Sequence, residues 1–155
     1  GHRRIALLGE SNNQAFITQR RQGYLDALRE AGLSSEWLRA MPPSRRVGYA
    51  TTKELLALPQ PPTAIITDCN PHGDGSRLAL AQMGRLTGEN AVSLVVYDGL
   101  PQDSIVDIDV ASVIQSTRQG VGKQIADMVR QLINGDDIER LQVLWQPEFS
   151  PGQTA

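Results

Sequence analysis

The chain of 155 residues has the length of one domain and can bury a substantial core. With 40% hydrophobic and 21% charged residues it reads as globular rather than disordered, and 15 basic against 17 acidic residues leave no net basic field to bind nucleic acid unaided. A single cysteine, Cys69, excludes an internal disulfide and suits a reducing cytoplasm.

The chain opens on GHRRIALLGE without an initiator methionine, and its first apolar run is too short for a secretion or membrane segment, so it reads as a piece of something longer. RIALL (4–8) is the first predicted strand, and a helix follows over about 18–31, stopped by Gly32. On a helical wheel Tyr24, Leu25, Ala27, Leu28 and Ala31 form one apolar arc, and Arg20 and Arg21 fall inside it. Cations at a helix start are disfavoured by roughly 0.3–1 kcal/mol each. An inward arginine there therefore calls for an anionic or polyhydroxyl partner, unless both side chains snorkel to solvent over the core.

MPPSRRVGYATT reads as a loop, and TTKELLAL as a short helix capped by its threonines and ended before Pro59. TAIIT (63–67) is the second strand. Asp68, Cys69, His72 and Asp74 follow it in TDCNPHGDG, residue types that can bind zinc or support a thiol nucleophile. Pro71 and the glycines fit a plain turn, however, and no further Cys or His cluster completes a site, so no metal, cofactor or catalytic residue is expected. A helix over 75–86 carries Ala79, Met83 and Leu86 at helical spacing.

VSLVV (92–96) is a buried strand that runs into Asp98-Gly99. The Asp98 carboxylate can accept hydrogen bonds from ligand hydroxyls or pair with Arg20 or Arg21, or it can simply form an Asp-Gly turn. VASVI (110–114) is a further strand, and Gln115 leaves it with an amide able to donate and accept toward a neutral ligand, or to face solvent. The longest helix starts near Thr117, with Ser116 and Gln119 as a capping box, carries Val121, Ile125, Met128, Val129 and Leu132 on one face, and closes at Asn134-Gly135. LQVLW (141–145) is a last, weaker strand. Strands alternating with helices predict an α/β fold, a parallel sheet with helices on both faces and ligands bound beyond the carboxyl ends of the strands.

In their order and spacing, GHRRIALLGE, RRQGYLDALREAGL, PPTAIITD, SLVVYDG and VASVIQSTRQGVGKQIADMVRQLING resemble the second half of the effector-binding core of the LacI/GalR family of bacterial transcription regulators. The resemblance spans nearly the whole chain and implies a periplasmic-binding-protein-like (type I) fold with a small molecule, usually a sugar, held between two subdomains. Residues 1–113 would form the core of the C-terminal subdomain, and 114–155 a crossover strand, a helix and a final strand. The DNA-binding headpiece is absent from the sequence, so operator DNA would be bound only through that missing part.

By the same resemblance Arg20, three positions before Gly23, would contact the ligand, as would Asp98 and Gln115, with Tyr49 as the cleft aromatic. The family's Asn-Asp and Ala-x-Gly-Ala pattern gives way here to TDCNPHGDGS, which puts Cys69 or Asn70 toward the cleft. The apolar face of the last helix normally packs on the absent subdomain, which implies a homodimer or a domain-swapped arrangement. The resulting expectation is a cytoplasmic, non-enzymatic, membrane-independent sensor of a sugar effector. A solute-binding protein of the same fold in sugar transport is the alternative, and an enzyme on a nucleotide-binding sheet would need a phosphate loop or an acid–base pair that is not evident.

Overall fold

The computed structural model describes residues 1–100, 108–115 and 118–155. Six strands form one sheet in the order β2-β1-β3-β4-β5-β6: β1 Ile5–Glu10, β2 Leu38–Met41, β3 Ala64–Thr67, β4 Ser93–Tyr97, β5 Ala111–Ile114 and β6 Glu148–Ser150. All neighbours pair parallel except β6, which runs antiparallel to β5. The helices are α1 Ala15–Glu30, α2 Arg45–Leu56, α3 Asn70–Gln82 and α4 Arg118–Ile133. None is long and apolar enough to cross a membrane.

The continuous apolar runs become strands because both faces of the sheet are covered. Along β1, Ala6 and Leu8 face one way and Leu7 the other, as the two-residue repeat of a strand requires. Ala6 and Leu8 join Ile65, Leu94 and Val96 under Leu55 of α2 and Leu80 of α3, whereas Leu7 packs with Tyr24 and Leu28 of α1. Burial of each large aliphatic side chain here contributes about 1.5–3 kcal/mol. The three helices are thereby pinned to opposite faces, and their N-termini gather at the strand ends.

Helices α2 and α3 approach each other through glycines. A Cβ on Gly48 would lie 2.7 Å from the His72 carbonyl oxygen, and one on Gly75 would run into the Arg45 carbonyl. The buried Thr52 hydroxyl donates to Ser76 across the same contact, at 2.8 Å. Gly75→Ala is therefore expected to lower stability by about 2–3 kcal/mol, since backbone rather than a flexible side chain must move; chemical denaturation checks this, and a loss below 0.5 kcal/mol, on the order of a neutral surface change, would contradict the packing.

Several sequence expectations are corrected. The segment read as the loop MPPSRRVGYATT is mostly α2, whose cap is the Ser44 hydroxyl accepting from the Val47 N–H, and not the threonines. TDCNPHGDG is no plain turn but the start of α3, where Pro71 sits in the first turn and sacrifices no helical hydrogen bond. That helix ends at Gln82, earlier than read, and Met83 is its exposed cap. LRAM forms an unforeseen edge strand, and the last strand lies at Glu148–Ser150, while the expected strand at 141–145 does not form: Leu141 closes a short 3-10 turn at Ile138–Leu141 and 142–145 are irregular. Ala27 and Ala31 are exposed, so the buried stripe of α1 is Ile17, Tyr24 and Leu28. The capping box assigned to Ser116 lies outside the described residues.

On α4 the apolar positions Ile125, Val129 and Leu132 are all largely open to solvent, as are Ile133 and Leu144 beyond them. An apolar stripe of this extent is not left bare on a stable soluble assembly.

Candidate functional site

At the carboxyl ends of β1, β3, β4 and β5 lies a cavity of about 560 Å³ bordered by Glu10, Phe16, Arg20, Asp68, Asn70, Asp98 and Gln115, with Pro43, Cys69 and Pro71 completing its wall. This is where a parallel sheet exposes its loops and helix starts, and where such folds bind ligands.

Arg20 and Arg21 of α1 turn inward. Arg20 Nη1 donates to the Asp68 carbonyl at 2.8 Å, and its guanidinium lies over the Tyr97 ring, 3.5 Å from the centroid, with Phe16 at 4.9 Å. Arg21 Nη2 donates to the Glu10 carbonyl at 2.9 Å. The chain thus sets cations against carbonyl oxygens that leave β1 and β3 without a further strand partner. That satisfies buried acceptors, and the stacked geometry contributes about 0.5–2 kcal/mol more. Among the described residues Arg20 forms no ion pair with Asp98; Tyr97, one residue earlier, is its partner.

Asp98 is the one described non-glycine residue with positive φ, at 65°. Its N–H donates to the Val113 carbonyl at 2.8 Å, and Asn70 Nδ2 donates to the carbonyls of Asp98 and Gly99 at 3.1 and 2.8 Å. Left-handed backbone costs a non-glycine residue about 1 kcal/mol or more, and the Asn70 amide offsets it. Asn70 borders the cavity as expected, but its amide nitrogen is committed to holding Asp98 in place.

Beneath the cavity lies a buried pair. Asp68 Oδ2 accepts the Glu10 N–H at 2.7 Å, and Oδ1 faces His72 Nδ1 at 3.6 Å. His72 Nε2 faces the Pro42 carbonyl at 2.9 Å, so that nitrogen donates. Burial opposes a charge on this ring, yet Asp68, Cys69 and the Pro42 carbonyl outweigh it and push its pKa up from 6.5 to about 10. These neighbours favour the imidazolium, although Nδ1 and the Asp68 Oδ1 lie beyond hydrogen-bond distance of each other. Asp68, Cys69 and His72 hold potential metal-ligand atoms within 4.8 Å of one another. Each ring nitrogen already faces an acceptor, so the geometry is that of an ion pair tying β1, β3, α3 and the β2–α2 loop together under the cavity floor.

Tyr49 is placed elsewhere. Because α2 begins at Arg45, Tyr49 stands in its second turn against α3, where its hydroxyl donates to Gln82 Oε1 at 2.7 Å and Lys53 lies over its ring. The aromatics at the site are instead Phe16, Tyr97 and Trp145, which the sequence reading missed. A signal existed: Phe16 stands four residues before Arg20 on the helix, and Tyr97 directly precedes Asp98. Trp145 borders a second cavity of about 400 Å³, shared with Phe16, Gln19, Arg20, Tyr97 and Gln115.

The cavity with its cationic, carboxylate and amide lining thus lies at the carboxyl ends of a largely parallel sheet. Residues 1–148 match the family of periplasmic binding proteins and the sugar-binding domain of LacI regulators, and the chain belongs to that family. The HTH-type transcriptional regulator RafR of Escherichia coli is 58% identical over 154 residues, which cover 99% of this chain and 46% of RafR. A crystal structure of a candidate transcriptional regulator from Yersinia pestis biovar Microtus superposes with a TM-score of 0.90 at 49% identity, covering 99% of this chain and 55% of that one. A complex of the transcriptional regulator CelR with cellobiose superposes at 0.77 and 25% identity, covering 100% and 47%. The chain spans about half the length of these relatives. The fold expectation, a largely parallel periplasmic-binding-protein-like sheet, holds.

Proposed function

We propose that this chain is the effector-sensing part of a LacI-type transcriptional regulator: it binds a sugar and, in the intact cytoplasmic protein, controls the affinity of a separate headpiece for operator DNA. The observation that carries this reading is the convergence of Arg20, Asp98 and Gln115 on one strand-end cavity, in a chain 58% identical to a transcriptional regulator along 99% of its length. Arg20 donates, Asp98 accepts and Gln115 does both, which matches vicinal hydroxyls. The exposed aromatic ring of Phe16 covers the apolar face of a sugar ring. Control follows by linkage: a sugar that binds one arrangement of the subdomains more tightly shifts operator affinity, with coupling typically of 1–3 kcal/mol.

Residues 1–113 form the C-terminal subdomain core in this reading, and the chain crosses toward the other subdomain after 114, while β6 and Thr154 return to the sheet beside β5 and β4. The bare apolar face of α4 supports its burial against that subdomain in an intact homodimer. The protein is a sensor and not an enzyme, and transport by a solute-binding protein is disfavoured because the relatives are transcriptional regulators. Operator-fragment binding by the intact protein, titrated with neutral sugars, tests the proposal. At least one sugar is expected to change operator affinity about tenfold or more, equivalent to about 1.4 kcal/mol of coupling; no change with any sugar would overturn it.

A further inference from the structure

The carboxylate, thiol and imidazole that follow β3 in TDCNPHGDG have no part in the effector reading, yet the fold brings them together. Asp68 is 3% exposed and His72 0%, and Cys69 is the N-cap residue of α3, its side chain making no capping hydrogen bond. Their donor atoms lie within 4.8 Å of one another. Two of those atoms, Asp68 Oδ1 and His72 Nδ1, are buried without a hydrogen-bond partner, 3.6 Å apart. That gap is too long for a hydrogen bond but suits a metal ion: bonds of about 2.0–2.2 Å to a nitrogen and an oxygen span 3.6 Å at roughly 115–130°, a modest opening of the tetrahedral angle.

The surroundings orient both atoms. Asp68 Oδ2 accepts the Glu10 N–H at 2.7 Å, which leaves Oδ1 to the ring, and His72 Nε2 faces the Pro42 carbonyl at 2.9 Å. The carbonyl keeps a hydrogen on Nε2, so the lone pair of the neutral ring is on Nδ1, as in histidines whose second nitrogen is fixed by an outer hydrogen bond. A buried lone pair opposite a carboxylate oxygen calls for a cation. We propose that Asp68 Oδ1, Cys69 Sγ and His72 Nδ1 form a binding site for a divalent cation of borderline softness, Zn²⁺ above all. Thiolate and imidazole select Zn²⁺ over Mg²⁺ or Ca²⁺, which take oxygen ligands, and three protein ligands leave a fourth position for water or a ligand hydroxyl. His72 is fully buried, so the cation enters past Asp68 and Cys69, which border the 560 Å³ cavity. In the metal-free chain the ring proton supplies the positive charge, and the cluster is the ion pair described above.

Equilibrium dialysis of the metal-free intact protein against Zn²⁺, and titration with Co²⁺ followed by absorption, test this. One Cys69-dependent Zn²⁺ per chain is expected, and Cys69→Ser is expected to weaken its binding about 100-fold or more, since loss of an outer-shell partner alone costs about 10–100-fold. Cys69 is only partly buried and serine is a favoured N-cap residue, so this variant leaves the core intact. Co²⁺ is expected to give a thiolate-to-metal charge-transfer band that Cys69→Ser lacks, which a merely structural cysteine would not produce. No Zn²⁺ retained at about 10 μM free metal, a Co²⁺ spectrum without the thiolate band, or Cys69→Ser binding as tightly as the wild type would each overturn the inference, and each leaves the effector reading intact.

Discussion

Arg20→Ala is expected to weaken sugar binding by the intact protein about 10- to 100-fold while lowering stability by only about 1–2 kcal/mol. The two effects separate because the side chain does two jobs. One N–H satisfies the Asp68 carbonyl and the guanidinium plane rests on Tyr97, which is the structural share. The side chain borders both cavities, and losing it leaves ligand hydroxyls without a charged donor in a partly desolvated site. Lysine would not restore the loss, since an ammonium cannot stack flat on Tyr97 while donating in two directions. Titration calorimetry beside a denaturation curve reads both quantities. Full affinity in Arg20→Ala would remove Arg20 from the binding machinery.

His72→Gln is expected to lower stability by about 3–5 kcal/mol near neutral pH, because it leaves the buried Asp68 carboxylate without its countercharge. The pH dependence has a definite sign. The folded pKa of about 10 lies above the ordinary 6.5, so the contribution is fully present below pH 6.5 and is lost as the pH rises through about 10. The groups facing the ring are Asp68, Cys69 and the Pro42 carbonyl. The stability difference between wild type and His72→Gln should therefore shrink between pH 6.5 and pH 10, measured by denaturant midpoints. A difference constant over that range would show that the ring is buried neutral.

Arg20 and Arg21 illustrate what the sequence disclosed. Two cations inside an apolar arc called for an anionic or polyhydroxyl partner or for snorkelling to solvent; α1 begins at Ala15, earlier than read, so they stand in its second turn beyond the reach of the helix dipole, and both meet backbone carbonyls. The wheel placed them inward even though two of its five apolar positions are exposed. It did not identify the acceptors, because backbone carbonyls carry no residue signature: Asp68 and Glu10 serve through their main chains. The strands were legible for a simple reason, since a sheet covered on both faces must be written as continuous apolar runs. β2 was not, because an edge strand such as LRAM buries little and shows no such run.

The start of α3 was misread for a different cause. Pro, Asn and two glycines are turn residues by local preference, but here Pro71 fits a first helical turn and Gly75 clears the backbone of α2, a tertiary demand invisible along the chain. The same demand moved Tyr49 out of the site, since its position depends on where α2 begins. Asp98, read from residue type and resemblance, borders the cavity, as do both Cys69 and Asn70, the two alternatives read from the departure in TDCNPHGDGS. That the Asn70 amide braces the Asp98 turn follows only from the positive φ at Asp98 and the distances around it.

A crystal structure of the intact protein with the sugar it responds to tests the central claim most directly. The account places ligand hydroxyls within hydrogen-bond distance, about 2.7–3.2 Å, of the Arg20 guanidinium and the Asp98 carboxylate, with a ring face over Phe16. A sugar bound away from the carboxyl ends of β1, β3, β4 and β5, touching neither Arg20 nor Asp98, would contradict it.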